Sequence, residues 1–167
     1  MEPLKRNFLL IVDLNQGIIK SLCKAYYPGR DDQKDAFQDI VLQLWKSFET
    51  FRGESEISTW IYSVSLNTLL AKLRKEKKKI TIESIGVSNL SIPMAMVDGD
   101  LELLQMAIQS LKELDKAIVI LYLEGYKNKE IAQILKLTPT NVSTRLNRIR
   151  EDLKAKFNTK HYEFRQP

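Results

Sequence analysis

The sequence predicts an all-α protein: two small helical domains joined by a flexible linker, the C-terminal one a helix-turn-helix. Three observations lead there. Apolar residues recur at three- and four-residue steps along most of the chain. The stretch Ile80 to Gly99 breaks that rhythm, losing both charge and period around Gly86, Pro93 and Gly99. In YKNKEIAQILKLTPTNVSTRLNRIREDL, Tyr126 to Leu153, two apolar stripes meet across a tight break.

Composition sets the outer limits. At 167 residues, 44% hydrophobic and 28% charged, the chain suits a folded globular protein of one domain or two small ones. A lone cysteine, Cys23, cannot form an internal disulfide, and its apolar surroundings make it a core residue. One histidine is too few for a zinc pattern. No apolar run approaches the ~20 residues of a membrane span, and FLLIV is too short for a signal core, so a cytoplasmic protein is expected. There is no glycine-rich phosphate loop and no Ser/His/Asp set, which leaves neither catalysis nor a cofactor to expect. The net charge of +5 favours a polyanionic partner.

The first helical stretch, Leu4 to Tyr26, carries Leu4, Phe8, Ile11, Val12, Ile18, Ile19, Leu22 and Tyr26 toward a core, as one helix or as two meeting near Asn15 to Gly17. Tyr27-Pro28-Gly29-Arg30 breaks it, and Asp31 or Asp32 is placed to cap the next helix. That helix, Asp32 to Phe48, buries Phe37, Ile40, Val41, Leu44 and Phe48. Its other face holds Asp32, Asp35, Asp39 and Lys46, with Leu42 among them. A carboxylate row on one helix is a poor metal site, because hard cations want converging oxygens from several elements. A leucine among acids instead suggests a docking surface for a basic partner with one apolar notch.

Phe51 to Trp60, FRGESEISTW, reads as a loop, and Ser55 or Glu56 opens a third helix. Tyr62, Leu66, Leu69 and Leu73 form one stripe of it, and Ile57, Ile61 and Val64 another. Trp60, Asn67 and Arg74 line an edge beside Arg52, mixing aromatic, amide and cationic groups as single-stranded nucleic-acid surfaces do. Lys72 to Lys79 holds six Lys or Arg and one Glu, a charged helix end. The linker follows. From Asp100 the helical pattern returns through Leu101, Leu104, Ile108 and Leu111, then Leu114, Ile118, Leu121 and Tyr122, packing against the hairpin.

In the hairpin itself, Ile131, Ile134, Leu135 and Leu137 precede the break, and Val142, Leu146, Ile149 and Leu153 follow it. Thr138 serves as N-cap and Pro139 as the first helical residue. Winding at 100° per residue leaves Thr140, Asn141, Thr144, Asn147 and Arg148 outward with Arg145 flanking, a face suited to base edges and phosphates in a major groove. Lys127 to Lys156 holds eight Lys or Arg against three acids, which equals the net charge of the whole chain. The tail from Asn158 to Pro167 is expected to fray.

DAFQDIVLQLWKSF followed by FRGESEISTWIYSVSLNTLLAKLRK resembles the second conserved region of the extracytoplasmic-function (ECF) sigma factors. LKELDKAIVILYLEGYKNKEIAQILKLTPTNVSTRLNRIREDLKAKF resembles their fourth. The likeness runs from about Asn15 to Phe157, with the family's variable connector at the linker. It implies region 2 at 1–79, a linker at 80–99, region 4 at 100–160 and a tail at 161–167. It implies that Asp35, Gln38, Asp39 and Leu42 face the clamp helices of the polymerase β′ subunit. Arg52, Ser55, Thr59, Trp60 and Asn67 would lie by the melted −10 element. Thr140, Asn141, Thr144, Arg145 and Arg148 would read the −35 element. The implied partners are core RNA polymerase, through β′ and the β flap, promoter DNA and often an anti-sigma factor. Ser63 and Ala71 depart from the arginine and aspartate of many members, which bears on promoter preference more than on class. Two rivals stand beside this: a dimeric helix-turn-helix regulator, for which no sustained heptad offers a dimer face, and a metal-dependent nuclease, which lacks a second carboxylate cluster.

Overall fold

The computed structural model describes residues 2–83 and 106–163, with side chains at 3–79 and 106–155. The chain divides into two compact units, Met1–Met96 and Val97–Pro167. Among the described residues all regular structure is helical.

The first unit is three helices, α1 (Glu2–Tyr26), α2 (Arg30–Phe48) and α3 (Ile57–Glu83), each packed against the other two. Phe8, Ile19, Leu22 and Cys23 from α1, Ala36, Ile40 and Leu44 from α2, and Ile61, Tyr62, Leu66 and Leu69 from α3 close the core. Burying one such large apolar side chain stabilises the fold by roughly 1.5–3 kcal/mol. α1 is one helix, with no break at Asn15 to Gly17. Exposed and half-buried side chains hold it there: the Asn15 amide donates to the Ile11 carbonyl at 2.8 Å, and Lys20 donates to Gln16 at 2.6 Å. Its apolar surface exceeds its core face, and Leu9, Leu10 and Leu14 are exposed.

One helix start differs from expectation. α2 begins two residues early, with extended Gly29 as its N-cap and no side-chain cap. Asp31 and Asp32 lie in its first turn instead, where carboxylates complement the helix dipole. The turn is tied by the Gln33 amide, which donates to the Tyr27 carbonyl at 2.8 Å. α3 opens as expected at Glu56, whose carbonyl accepts from Trp60 N–H at 3.0 Å. It continues to Glu83, so the first residues of the expected linker, 80–83, are helical. The rest of that linker, with Leu101 and Leu104, lies outside the described residues. Within the core the Ser65 hydroxyl is fully buried with no hydrogen-bond partner.

The second unit opens with a short helical turn at 106–109 and continues as α4 (Glu113–Leu123), α5 (Asn128–Leu135) and α6 (Pro139–Glu163). Ala117, Ile118, Val119 and Leu121 of α4, Ile131, Ala132, Ile134 and Leu135 of α5, and Val142, Leu146 and Ile149 of α6 are buried. Gly125, at φ +90°, makes the α4–α5 turn in a conformation other residues adopt only with strain. At the α5 start, Glu130 accepts from the Lys127 N–H at 2.7 Å. Lys136 ends α5 in the left-handed conformation, φ 56° and ψ 44°, and Leu137 N–H donates to the Ala132 carbonyl at 2.8 Å. This sharp ending lets Thr138 start α6 at once. Tyr122 meets the hairpin as expected, though from an exposed position, lying under the Arg150 guanidinium of α6. The α6 backbone stays helical to Glu163, past the residue where fraying was expected.

Two outcomes follow. A Cβ at exposed Gly17 meets nothing within 4 Å, so Gly17→Ala is expected to raise stability by about 0.5–1 kcal/mol in chemical denaturation, with no change in fold. Burial pushes the Cys23 thiol from near 9 up to about 11. Between those values the unfolded chain releases this proton while the folded one keeps it, so stability present below pH 9 is lost as pH rises. Tyr27, raised by burial and by Glu76, acts in the same direction. Denaturant midpoints should therefore fall across pH 9–11, and the fall should be smaller in Cys23→Ala than in the parent.

Candidate nucleic-acid interface

The outward face of α6 follows from its buried one. With Val142, Leu146 and Ile149 against α4 and α5, the residues Thr140, Asn141, Thr144, Asn147 and Arg148 are all exposed, and Arg145 is partly so. Thr138 caps as expected, its Oγ1 accepting from the Asn141 N–H at 3.2 Å. The Asn128 amide donates to the Ser143 hydroxyl at 2.9 Å, which donates in turn to the Pro139 carbonyl at 3.0 Å. The N-terminus of α5 is thereby pinned to the first turns of α6.

A buried carboxylate organises the basic side of this face. Asp115 is only 5% exposed, yet its Oδ1 accepts from Arg145 Nη1 at 2.7 Å and its Oδ2 from Arg148 Nη2 at 3.1 Å. Arg145 Nε also donates to Asn141 Oδ1 at 2.8 Å. Three of the five residues expected at a −35 element therefore form one network with a residue that sequence reasoning missed. Its only sequence signal is a charged pair, Asp115 and Lys116, at the head of the apolar run Ala117–Leu121. Burial also holds the Lys116 ammonium below the ordinary lysine range.

In the first unit, Gly53 at φ +71° turns the chain after α2 and folds the loop back over α3. Phe51 stacks on Trp60 with centroids 4.9 Å apart and planes at 30°. Phe48 backs the same ring at 6.1 Å, and Phe8 links Phe48 to Trp45 at 5.4 and 5.0 Å. The result is an open pocket of about 440 Å³ lined by Thr50, Phe51, Arg52, Glu54, Ser55 and Trp60. That volume lies in the range of small-ligand sites. Arg52, Ser55 and Trp60 of the expected −10 set line it. Thr59 and Asn67 do not, and Asn67 donates to the Ser63 carbonyl one turn back at 2.7 Å. Phe51 was not anticipated, since a loop has no period to mark it.

On α2, Asp35, Gln38, Asp39 and Leu42 are exposed together, Leu42 at 53%. Asp39 is engaged across the bundle, accepting from Lys72 Nζ at 2.5 Å, and this bond raises the Lys72 pKa. Glu76 accepts from the Tyr27 hydroxyl at 3.1 Å. The basic end of α3 is thus more than a solvated charge run. Lys72 turns toward α2 and Glu76 toward the α1–α2 turn, while Arg74, Lys75, Lys78 and Lys79 stay exposed.

Two family models match the chain, one within each unit. The model of Sigma-70 region 2 matches residues 11–79, and that of Sigma-70 region 4 matches residues 101–153. The ECF RNA polymerase sigma-E factor of Haemophilus influenzae is 28% identical over 167 aligned residues, covering 91% of this chain and 88% of that protein. Its counterpart in Escherichia coli K12 is 27% identical, covering 91% and 87%. Among solved structures, the Bartonella quintana sigma factor RpoE, crystallised with the anti-sigma factor NepR, matches with a TM-score of 0.68. It is 18% identical, and the match covers 93% of this chain and 96% of that one. CnrH, in complex with the cytosolic domain of CnrY, matches at 0.63 and 18% identity, covering 93% and 90%. With regions 2 and 4 both present, in order and in separate helical units, the chain belongs to the ECF sigma factors, the non-enzymatic subunits that direct bacterial RNA polymerase to promoters.

Proposed function

We propose that the two units divide promoter recognition between duplex and opened strand. In this reading α6 enters the major groove of the −35 element with Thr140, Asn141, Thr144, Arg145 and Arg148. The aromatic pocket of Trp60, with Arg52 and Ser55, receives an unstacked base of the −10 element, and Thr59 and Asn67 lie along the same strand. Asp35, Gln38, Asp39 and Leu42 meet the clamp helices of β′, and the C-terminal unit meets the β flap. Region 2 then corresponds to 1–79, the connector to 80–99 and region 4 to 100–160. The reading places the protein in the cytoplasm, where polymerase and promoter meet. The complexes of the two similar solved structures support an anti-sigma factor as a further partner.

The observation that carries the proposal is the pairing of surfaces: an outward α6 face of amides, hydroxyls and arginine in one unit, and a stacked aromatic pocket beside a cation in the other. Energetics require the polymerase as well. Opening ten base pairs costs about 14 kcal/mol at ~1.4 kcal/mol per step, whereas each captured base returns only ~1–3 kcal/mol. Pockets of this kind trap a strand that a larger machine has separated. With 80–83 wound into α3, the remaining connector residues, 84–99, span up to ~56 Å at ~3.5 Å each, between one and two duplex turns of ~34 Å.

Two experiments test the reading. Arg148→Ala is expected to weaken binding of holoenzyme to −35 duplex by roughly 10-fold or more, in keeping with ~1–3 kcal/mol per base contact. Trp60→Ala should leave that binding intact and impair open-complex formation in permanganate footprinting. Equal loss of duplex binding in both variants contradicts the division. For the polymerase face, Asp39→Arg should abolish co-purification with core enzyme while Lys72→Gln retains it, and unchanged recovery of Asp39→Arg removes that assignment.

A further inference from the structure

Asp115 is the one buried carboxylate among the described residues of the second unit, and it sits behind the reading face. It occupies the first turn of α4, where the helix dipole favours an anion. A carboxylate this buried is tolerated only when its oxygens are bonded, and here each takes one arginine of α6. Two guanidinium groups share a single negative charge, so the pair presents a net charge of +1 to DNA. Arg145 is the more committed of the two. Its side chain is 30% exposed against 58% for Arg148, and it spends Nη1 on Asp115 and Nε on Asn141 Oδ1. Because Nε can only donate, the Asn141 amide must turn its oxygen toward Arg145, which leaves its NH2 as the group free to face outward.

We infer that Asp115 is a specificity-determining positioning residue: through Arg145 it orients the Asn141 amide, and by anchoring Arg148 it exchanges general phosphate attraction for discrimination between bases. Arg145 on this account acts as a strut in the network and not as a base reader. The inference rests on α6 being the duplex reader, and it makes a demand that a stability role does not make. Removing the carboxylate should move two DNA readouts in opposite directions. Freed arginines attract any duplex more strongly, while the loosened Asn141 and Arg148 distinguish bases less well.

The test compares parent, Asp115→Asn and Asp115→Glu. Full-length chain is titrated with duplex of arbitrary sequence over a salt series, and holoenzyme is run on a promoter pool randomised across the −35 element. For Asp115→Asn, affinity for arbitrary duplex should rise several-fold at low salt, with the slope of log K against log salt steeper by about 0.9 per added phosphate contact. Enrichment of the preferred −35 sequence should fall by about 10-fold or more. Asp115→Glu should keep the parental salt slope. Loss of both readouts in proportion, or no change in either, overturns the inference. Should Asp115→Asn fail to fold by circular dichroism, Arg145→Gln decides: it must lower sequence enrichment and flatten the salt slope, and parental enrichment overturns the proposal. A parent holoenzyme with no −35 preference at all overturns the duplex reading, and this inference with it, an outcome distinguishable from failure of Asp115 alone.

Discussion

Everything α6 does depends on how it is rotated about its own axis, and that rotation is set by burial. Val142, Leu146 and Ile149 must leave water together, which they can do only against α4 and α5. Turning the helix by one residue would expose these three side chains and carry Asn141 or Arg148 into the core, at a cost of several kcal/mol. The outward face is therefore a by-product of the inward one. The left-handed Lys136 and the Thr138 cap add the second constraint, placing the start of α6 directly after the end of α5.

The first unit solves a different problem with the same means. A loop ordinarily has too few contacts to hold an aromatic surface still. Here Phe51 is held against Trp60, and Trp60 against Phe48, which belongs in turn to the bundle through Phe8. Rings at these separations gain roughly 0.5–1.5 kcal/mol each beyond their area. The pocket is thus anchored in the core while one side stays open to solvent. The acidic surface of α2 is likewise steadied from behind, since Lys72 holds Asp39 from α3. A partner carrying basic side chains would meet a carboxylate already in place.

Charge inside the second unit works against the simplest electrostatic picture. A basic recognition helix could bind any duplex by counter-ion release alone. Asp115 and the buried Lys116 show charge being used internally at some desolvation cost, in the unit that also presents the basic face. Discrimination between promoters asks for fixed donors more than for many cations, and fixed donors need something to hold them.

The sequence by itself determined the helices and the hairpin, because these rest on local periodicity, caps and turn residues. Ile40, Leu44, Leu66, Val142 and Ile149 were legible as core from spacing alone, as was the outward set from Thr140 to Arg148. The motifs spoke for the family. Local pattern misled where two features competed: Asp31 and Asp32 resemble caps, yet they serve in the first turn because Gly29 takes the extended cap geometry. What only the tertiary structure decided are contacts between residues distant in sequence. Asp115 meets Arg145 and Arg148 across 30 and 33 residues, Asp39 meets Lys72 across 33, and Phe51 meets Trp60 from an aperiodic loop. A polar pairing leaves no period in the chain, since each partner alone reads as an ordinary surface charge. The two are recognisable as a pair only once packing has brought their helices side by side.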